Sequence, residues 1–184
     1  MAQGMTEGAP SRVLLLPGWR DSGPTHWQSR WEALHGYRRV EQGDWLWPRR
    51  GDWMARLDEV LLEDETPAVL VAHSLGCHLV AAWAAHTQHV ARVRAALLVA
   101  PADPQRDDAP PNLYNWRPVV RQRLPFPSLL LASRDDPWCS LAEAAALAAD
   151  WGSDWCLLGA YGHINGDSGL GDWDAGHALL KSLG

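Results

Sequence analysis

The sequence predicts one α/β domain, a mostly parallel sheet covered by helices on both faces. Three observations carry this. Short apolar runs without polar interruption, RVLLL (12–16), AVLVA (68–72) and AALLVA (95–100), read as strands buried on both sides. Segments with apolar residues at helical spacing alternate with them, which is the order of a parallel sheet with crossover helices. At 184 residues the chain has the length of a single domain able to bury a sizeable core.

Taken in order, residues 1–11 are rich in Gly and small polar residues and are expected to form a loose tail, leaving 12–184 as the domain. Arg12 to Leu16 is the first strand and ends at the Pro17-Gly18 turn. Pro24 to Leu34 carries Trp27, Trp31 and Leu34 on one face, with Pro24 suited to a first helical turn. Tyr37 to Glu41 reads as a weak strand, and Asp52 to Glu63 as a helix that Asp52 could cap. After the strand at 68–72, Leu75 to Ala85 is an Ala-rich apolar helix. The strand at 95–100 stops at Pro101, and the six prolines between Asp103 and Pro127 predict irregular structure. Leu129 to Ala132 is a further strand, Leu141 to Ala149 a helix and Trp155 to Leu158 a short last strand. A Gly-rich loop then leads into a closing helix over Trp173 to Leu183.

Composition excludes several classes. A net charge of −6 with no Lys/Arg run longer than two gives a nucleic-acid partner no electrostatic footing. No stretch of 18 apolar residues suits a membrane span, and the first ten residues lack the apolar run of a signal peptide. Three cysteines without C-x-x-C spacing suggest neither a disulfide framework nor a zinc site, so a cytoplasmic location is expected. Metal is not expected either: His73 and His78 point differently, and His86 and His89 have no third ligand near them. The outlier is Trp, twelve residues against one Phe, which must fill core positions and could also edge a pocket.

The chemistry concentrates in Ala72-His73-Ser74-Leu75-Gly76, set between an apolar strand and an apolar helix. A sharp strand-to-helix turn needs small residues two before and two after its centre, and it presents the central Ser at the carboxyl edge of the sheet. The competing reading is a serine that only caps the helix. A nucleophilic Ser74 needs a base and an orienting carboxylate, in the order Ser, acid, His, on loops after later strands. Ser133-Arg134-Asp135-Asp136-Pro137 follows the strand at 129–132, and Gly162-His163-Ile164 follows the last strand. The base is therefore His163, and Asp135 and Asp136 are both available as the acid. Adjacent residues in an extended loop point apart, so only one reaches His163. Pro137 biases Asp136 to an extended backbone and favours it, with Asp135 shaping the loop. The backbone N–H of Leu75 and that of Trp19, with Arg20 second, are candidates for an oxyanion hole. His26, Trp116 and Trp138 are candidate pocket residues, and Cys77 reads as a buried thiol.

The segments LLLPGWRDSGPTHWQSRWE (14–32), DWLWP (44–48), VAHSLGCHLVAAWA (71–84), LLVAPAD (97–103), ASRDDPWCS (132–140) and GHINGDSGLGDW (162–173) resemble the small serine hydrolases that include retinoblastoma-binding protein 9 and the YdeN-like bacterial proteins. The resemblance implies a three-layer α/β-hydrolase fold with little or no cap. It carries nucleophile to Ser74, acid to the Asp-Asp-Pro motif and base to His163. The family's Asp-Pro followed by two apolar residues again places the acid at Asp136. Ala72 departs from the commoner Gly and is still small. The expected function is hydrolysis of a carboxylic ester, thioester or amide of a small acyl group, without a cofactor. The rival is an interaction module that keeps the fold with little turnover. Residues 101–127 are the only stretch long enough to cover the site, which predicts a shallow pocket edged by Trp19, Trp116 and Trp138.

Overall fold

The computed structural model describes residues 11–184; the expected tail lies outside the described residues apart from Ser11, which is exposed. Six strands form one sheet: β1 (Arg12–Leu16), β2 (Arg38–Arg39), β3 (Ala68–His73), β4 (Val93–Val99), β5 (Ser128–Ala132) and β6 (Asp154–Leu157), in the order β2-β1-β3-β4-β5-β6. Every pairing is parallel, with Leu16 opposite Ala72 and His73 opposite Val99. Five helices, α1 (Trp27–His35), α2 (Arg50–Leu62), α3 (Leu75–His86), α4 (Leu141–Trp151) and α5 (Asp174–Leu183), connect or follow the strands.

Strand alternation divides the core in two. Leu14, Leu16, Leu70, Ala72, Ala96 and Leu98 face one layer with Trp53, Leu57, Leu79, Trp83, Leu147 and Trp151 of α2, α3 and α4. Leu15, Val69, Val71, Leu97 and Val99 face the other, with Trp27 and Trp31 of α1 and Leu180 of α5. The three-layer expectation is met. Among the described residues no helix is long and apolar enough to cross a membrane.

Two helix starts differ from the sequence reading. Pro24 is not in the first turn of α1: the chain turns at 23–26, with His26 N–H donating to Gly23 O at 3.0 Å, and the helix opens at Trp27. His26 caps it, Nδ1 accepting from Gln28 N–H at 3.1 Å. Asp52 does not cap α2, which opens two residues earlier. There the Arg50 N–H donates to Asn115 Oδ1 at 2.6 Å, a partner supplied from 65 residues away. The weak strand expected over 37–41 is only Arg38–Arg39, at the sheet edge. Part of the proline-rich stretch is ordered as a 3-10 helix over Pro111–Trp116.

Candidate active site

Strand order places β1 and β3 at the point where the chain reverses its direction of travel across the sheet, since β2 lies to one side and β4, β5 and β6 to the other. Loops leaving the carboxyl ends of strands around such a switch point form a crevice. The loops after β1, β3, β5 and β6 bring Trp19, Ser74, Asp136 and His163 to this edge.

At the centre, Ser74 has φ 56° and ψ −118°, a backbone shape unusual for a residue with a side chain. It lies at the N-terminus of α3, yet its side chain makes no capping hydrogen bond, which removes the reading of Ser74 as a helix cap. Instead, Ser74 Oγ is 2.9 Å from His163 Nε2. The turn is possible because Gly76 lacks a side chain, since a Cβ there would collide with the Leu16 carbonyl oxygen. Ala72 is fully buried in the same turn, so the smaller Gly is not required at that position.

Behind the imidazole, His163 Nδ1 lies 2.9 Å from Asp136 Oδ1 and 3.1 Å from Oδ2. Asp135 points elsewhere: its Oδ1 accepts from Ser133 Oγ at 2.9 Å and from Gly162 N–H at 2.8 Å. These bonds, the Gly162 amide first, hold its carboxyl below the usual range. Asp135 thus ties the acid loop to the His163 loop while Asp136 meets the ring. Asp136 Oδ1 also accepts from Trp138 N–H at 2.9 Å, a second bond on the oxygen nearest the ring.

The loop after β1 passes against the turn at Ser74. A Cβ on Gly18 would stand 3.0 Å from Ser74 Cβ and 3.1 Å from Leu75 N, so any side chain there would press on the turn. The Arg20 N–H already donates to Trp45 O at 3.0 Å and so is engaged, whereas Trp19 and Leu75 both line the cavity at Ser74. The Trp19 indole donates to Leu46 O at 2.9 Å. The 44–48 segment therefore anchors this loop twice, a role for which no periodicity gave a signal.

These loops enclose a cavity of about 160 Å³ lined in part by Trp19, His26, Ser74, Leu113, Trp138 and His163. Trp19 and Trp138 meet edge to face, 6.2 Å between ring centroids. The expectation for Trp116 is corrected: it is 1% exposed, donates to Pro48 O at 2.8 Å and packs edge-on against Trp53 in the core. A large apolar ring gains more by filling the gap between the 3-10 helix and α2 than by standing at an open rim. From the same 3-10 helix it is Leu113 that reaches the cavity. Residues 101–127 thus supply one wall, and no cap domain stands over the site among the described residues.

Cys77 is fully buried with its Sγ 3.5 Å from Val99 O, and burial pushes its thiol pKa up, so it is an inert core group. Among the described residues no three His, Cys, Asp or Glu side chains gather as a metal site would require.

A strained serine between strand and helix of a parallel sheet, followed along the chain by a carboxylate and a histidine after later strands, defines an α/β-hydrolase. The chain belongs to the Serine hydrolase family, whose model matches residues 13–182. Among solved structures it is similar to a YdeN-like hydrolase from Pectobacterium atrosepticum, with 30% identity, a TM-score of 0.81, and coverage of 94% of this chain and 89% of that one. The ydeN gene product of Bacillus subtilis is 21% identical with a TM-score of 0.72, covering 95% and 98% of the two chains. A carboxylesterase of Bacillus cereus shares the fold at 17% identity and a TM-score of 0.58, over 99% and 92%. No curated protein matches the chain significantly.

Proposed function

We propose that the protein hydrolyses a carboxylic ester of a small acyl group through an acyl-enzyme on Ser74, with thioester and amide bonds open to the same chemistry. The observation that carries this is the continuous line from Ser74 Oγ to His163 Nε2 and from His163 Nδ1 to Asp136, each step at 2.9 Å. In this reading Ser74 Oγ attacks the carbonyl carbon as His163 Nε2 takes its proton, while Asp136 keeps the Nδ1 proton in place and stabilises the imidazolium. The amides of Leu75 and Trp19 receive the oxyanion. His163 then protonates the leaving alcohol, and a water, deprotonated by the same imidazole, releases the acid. Carboxylesterase is the enzyme class we favour, because the cavity over Ser74 is small, about 160 Å³, with Trp19, Leu113 and Trp138 among its walls.

Labelling with a fluorophosphonate probe tests this. Wild type is expected to label, and Ser74→Ala to lose both labelling and turnover, with kcat falling by about 10⁶. A purified, folded Ser74→Ala protein that retains more than a small fraction of activity overturns the reading. A wild type that neither labels nor turns over activated esters favours a protein-interaction module on the same fold.

A further inference from the structure

The base sits on a strained loop. His163 lies between Gly162, with φ 58°, and Ile164, with φ 50°; a β-branched residue rarely adopts that backbone. Such a conformation persists only when its surroundings over-determine it. Here two consecutive carbonyls are held by ring N–H donors from rigid elements: His163 O by His73 Nε2 at 2.8 Å, and Ile164 O by Trp27 Nε1 at 2.8 Å.

The His73 ring is held in turn. His26 Nε2 lies 3.3 Å from His73 Nδ1, and His26 Nδ1 accepts the Gln28 N–H. The ends of this line force every tautomer. A backbone N–H can only donate, so His26 Nδ1 is a lone pair and its proton is on Nε2. A carbonyl can only accept, so the His73 proton is on Nε2 and its Nδ1 is a lone pair facing His26 Nε2–H. Each link is satisfied without a charge. Both rings are 5% exposed, and burial holds His26 down to about 3 and His73 well below its ordinary value, so both are neutral at working pH.

We propose that His73 and His26 are positioning residues, a buried imidazole pair that sets the His163 loop at its distance from Ser74. His73 is peptide-bonded to Ser74, so one stretch of backbone carries the nucleophile while its preceding side chain holds the base loop. The inference rests on the reading of Ser74 and His163 as nucleophile and base.

The test uses p-nitrophenyl butyrate turnover, fluorophosphonate labelling rate and melting temperature on the full chain. His73→Phe keeps the ring and removes both hydrogen bonds. It is expected to lower kcat by about 100-fold, the effect of misplacing a catalytic group by about 1 Å, with KM within twofold and the labelling rate falling in parallel. His73→Gln, whose amide N–H can still reach the His163 carbonyl, is expected to recover most of the loss. Should His73→Phe fail to fold, His26→Asn decides: Asn still caps Gln28 N–H but is too short to reach His73, and kcat is expected to drop about tenfold with little change in melting temperature. The double variant His26→Asn/His73→Phe should be no worse than His73→Phe alone, because both act through one carbonyl. Folded variants with unchanged kcat, a Gln variant no better than Phe, or additive losses in the double variant each overturn the proposal. A wild type inert to both probes instead overturns the underlying reading of Ser74.

Discussion

Gly76 stands against the carbonyl of Leu16, so close that a methyl group on its Cα has no room; the Pro17 carbonyl oxygen would also lie 3.2 Å from such a Cβ. The turn that carries Ser74 is thereby seated on the end of β1, from which the Trp19 amide also departs. Gly76→Ala should push these two backbones apart. A loss of about 1–3 kcal/mol of stability is expected from overpacking. If the oxyanion donors separate as a result, kcat falls by a further 10²–10³, about the cost of losing one such donor. Thermal melts and kcat on a butyrate ester check this, and near-wild-type values for both would show that β1 yields without consequence.

Asp136 and Asp135 should separate cleanly. Asp136→Asn is expected to lower kcat by about 10⁴, because an amide beside Nδ1 holds the imidazole in the wrong tautomer. Asp135→Asn keeps an acceptor oxygen for the Gly162 N–H and the Ser133 hydroxyl and should lose far less. Parallel kcat measurements at neutral pH decide between them; a larger loss in the Asp135 variant reverses the assignment.

The cavity limits the acyl group. At about 160 Å³ it is smaller than the roughly 300–1,000 Å³ of drug-sized ligand sites. Trp19, Trp138 and Leu113 form its apolar walls. Butyrate or aromatic acyl esters should therefore show a higher kcat/KM than long-chain esters. A rising series from butyrate to palmitate would contradict it.

Acid should destabilise the protein well before its carboxylates titrate. Burial lowers His26 from 6.5 to about 3 and His78 to about 4, and places His73 well below 6.5. His78 Nε2 donates to Ala102 O at 2.6 Å, and its Nδ1 has no partner among the described residues to receive a second proton's hydrogen bond. Between the folded and unfolded values the unfolded chain binds more protons than the folded one, so stability rises with pH across that window. It is fully present above about 6.5 and is lost as pH falls through about 4 for His78 and about 3 for His26. Melting temperature should drop between pH 7 and 5, and less steeply in His78→Leu. A flat profile over that range would show that these rings charge without cost.

Much of this was legible along the chain. The strands at 12–16, 68–72, 95–100 and 129–132 were readable because a strand buried on both faces must be apolar throughout. Ser74, Asp136 and His163 were readable because each sits in a loop with its own local signature: small residues flanking the serine, Asp-Pro, and glycine before histidine. Asp136 over Asp135 followed from the alternation of side chains and the proline behind it. These are local constraints, imposed by backbone sterics within a few residues.

What only the tertiary structure decided involves partners far apart in sequence. Trp116 faces the core because Trp53 and Pro48 meet it there, and α2 begins at Arg50 because Asn115 supplies a partner for its N–H. The Arg20 amide is engaged by the Trp45 carbonyl, and the Trp19 ring is held by Leu46 O and Trp138, partners that lie far off in sequence. Along the chain His26 reads only as a candidate pocket residue and His73 only as the residue before the serine, until the fold sets them 3.3 Å apart beneath the His163 loop. Periodicity and local sterics report which way a residue faces from its own element. Which group it meets there depends on the packing of distant elements, and in this protein that packing sets the loops around Ser74.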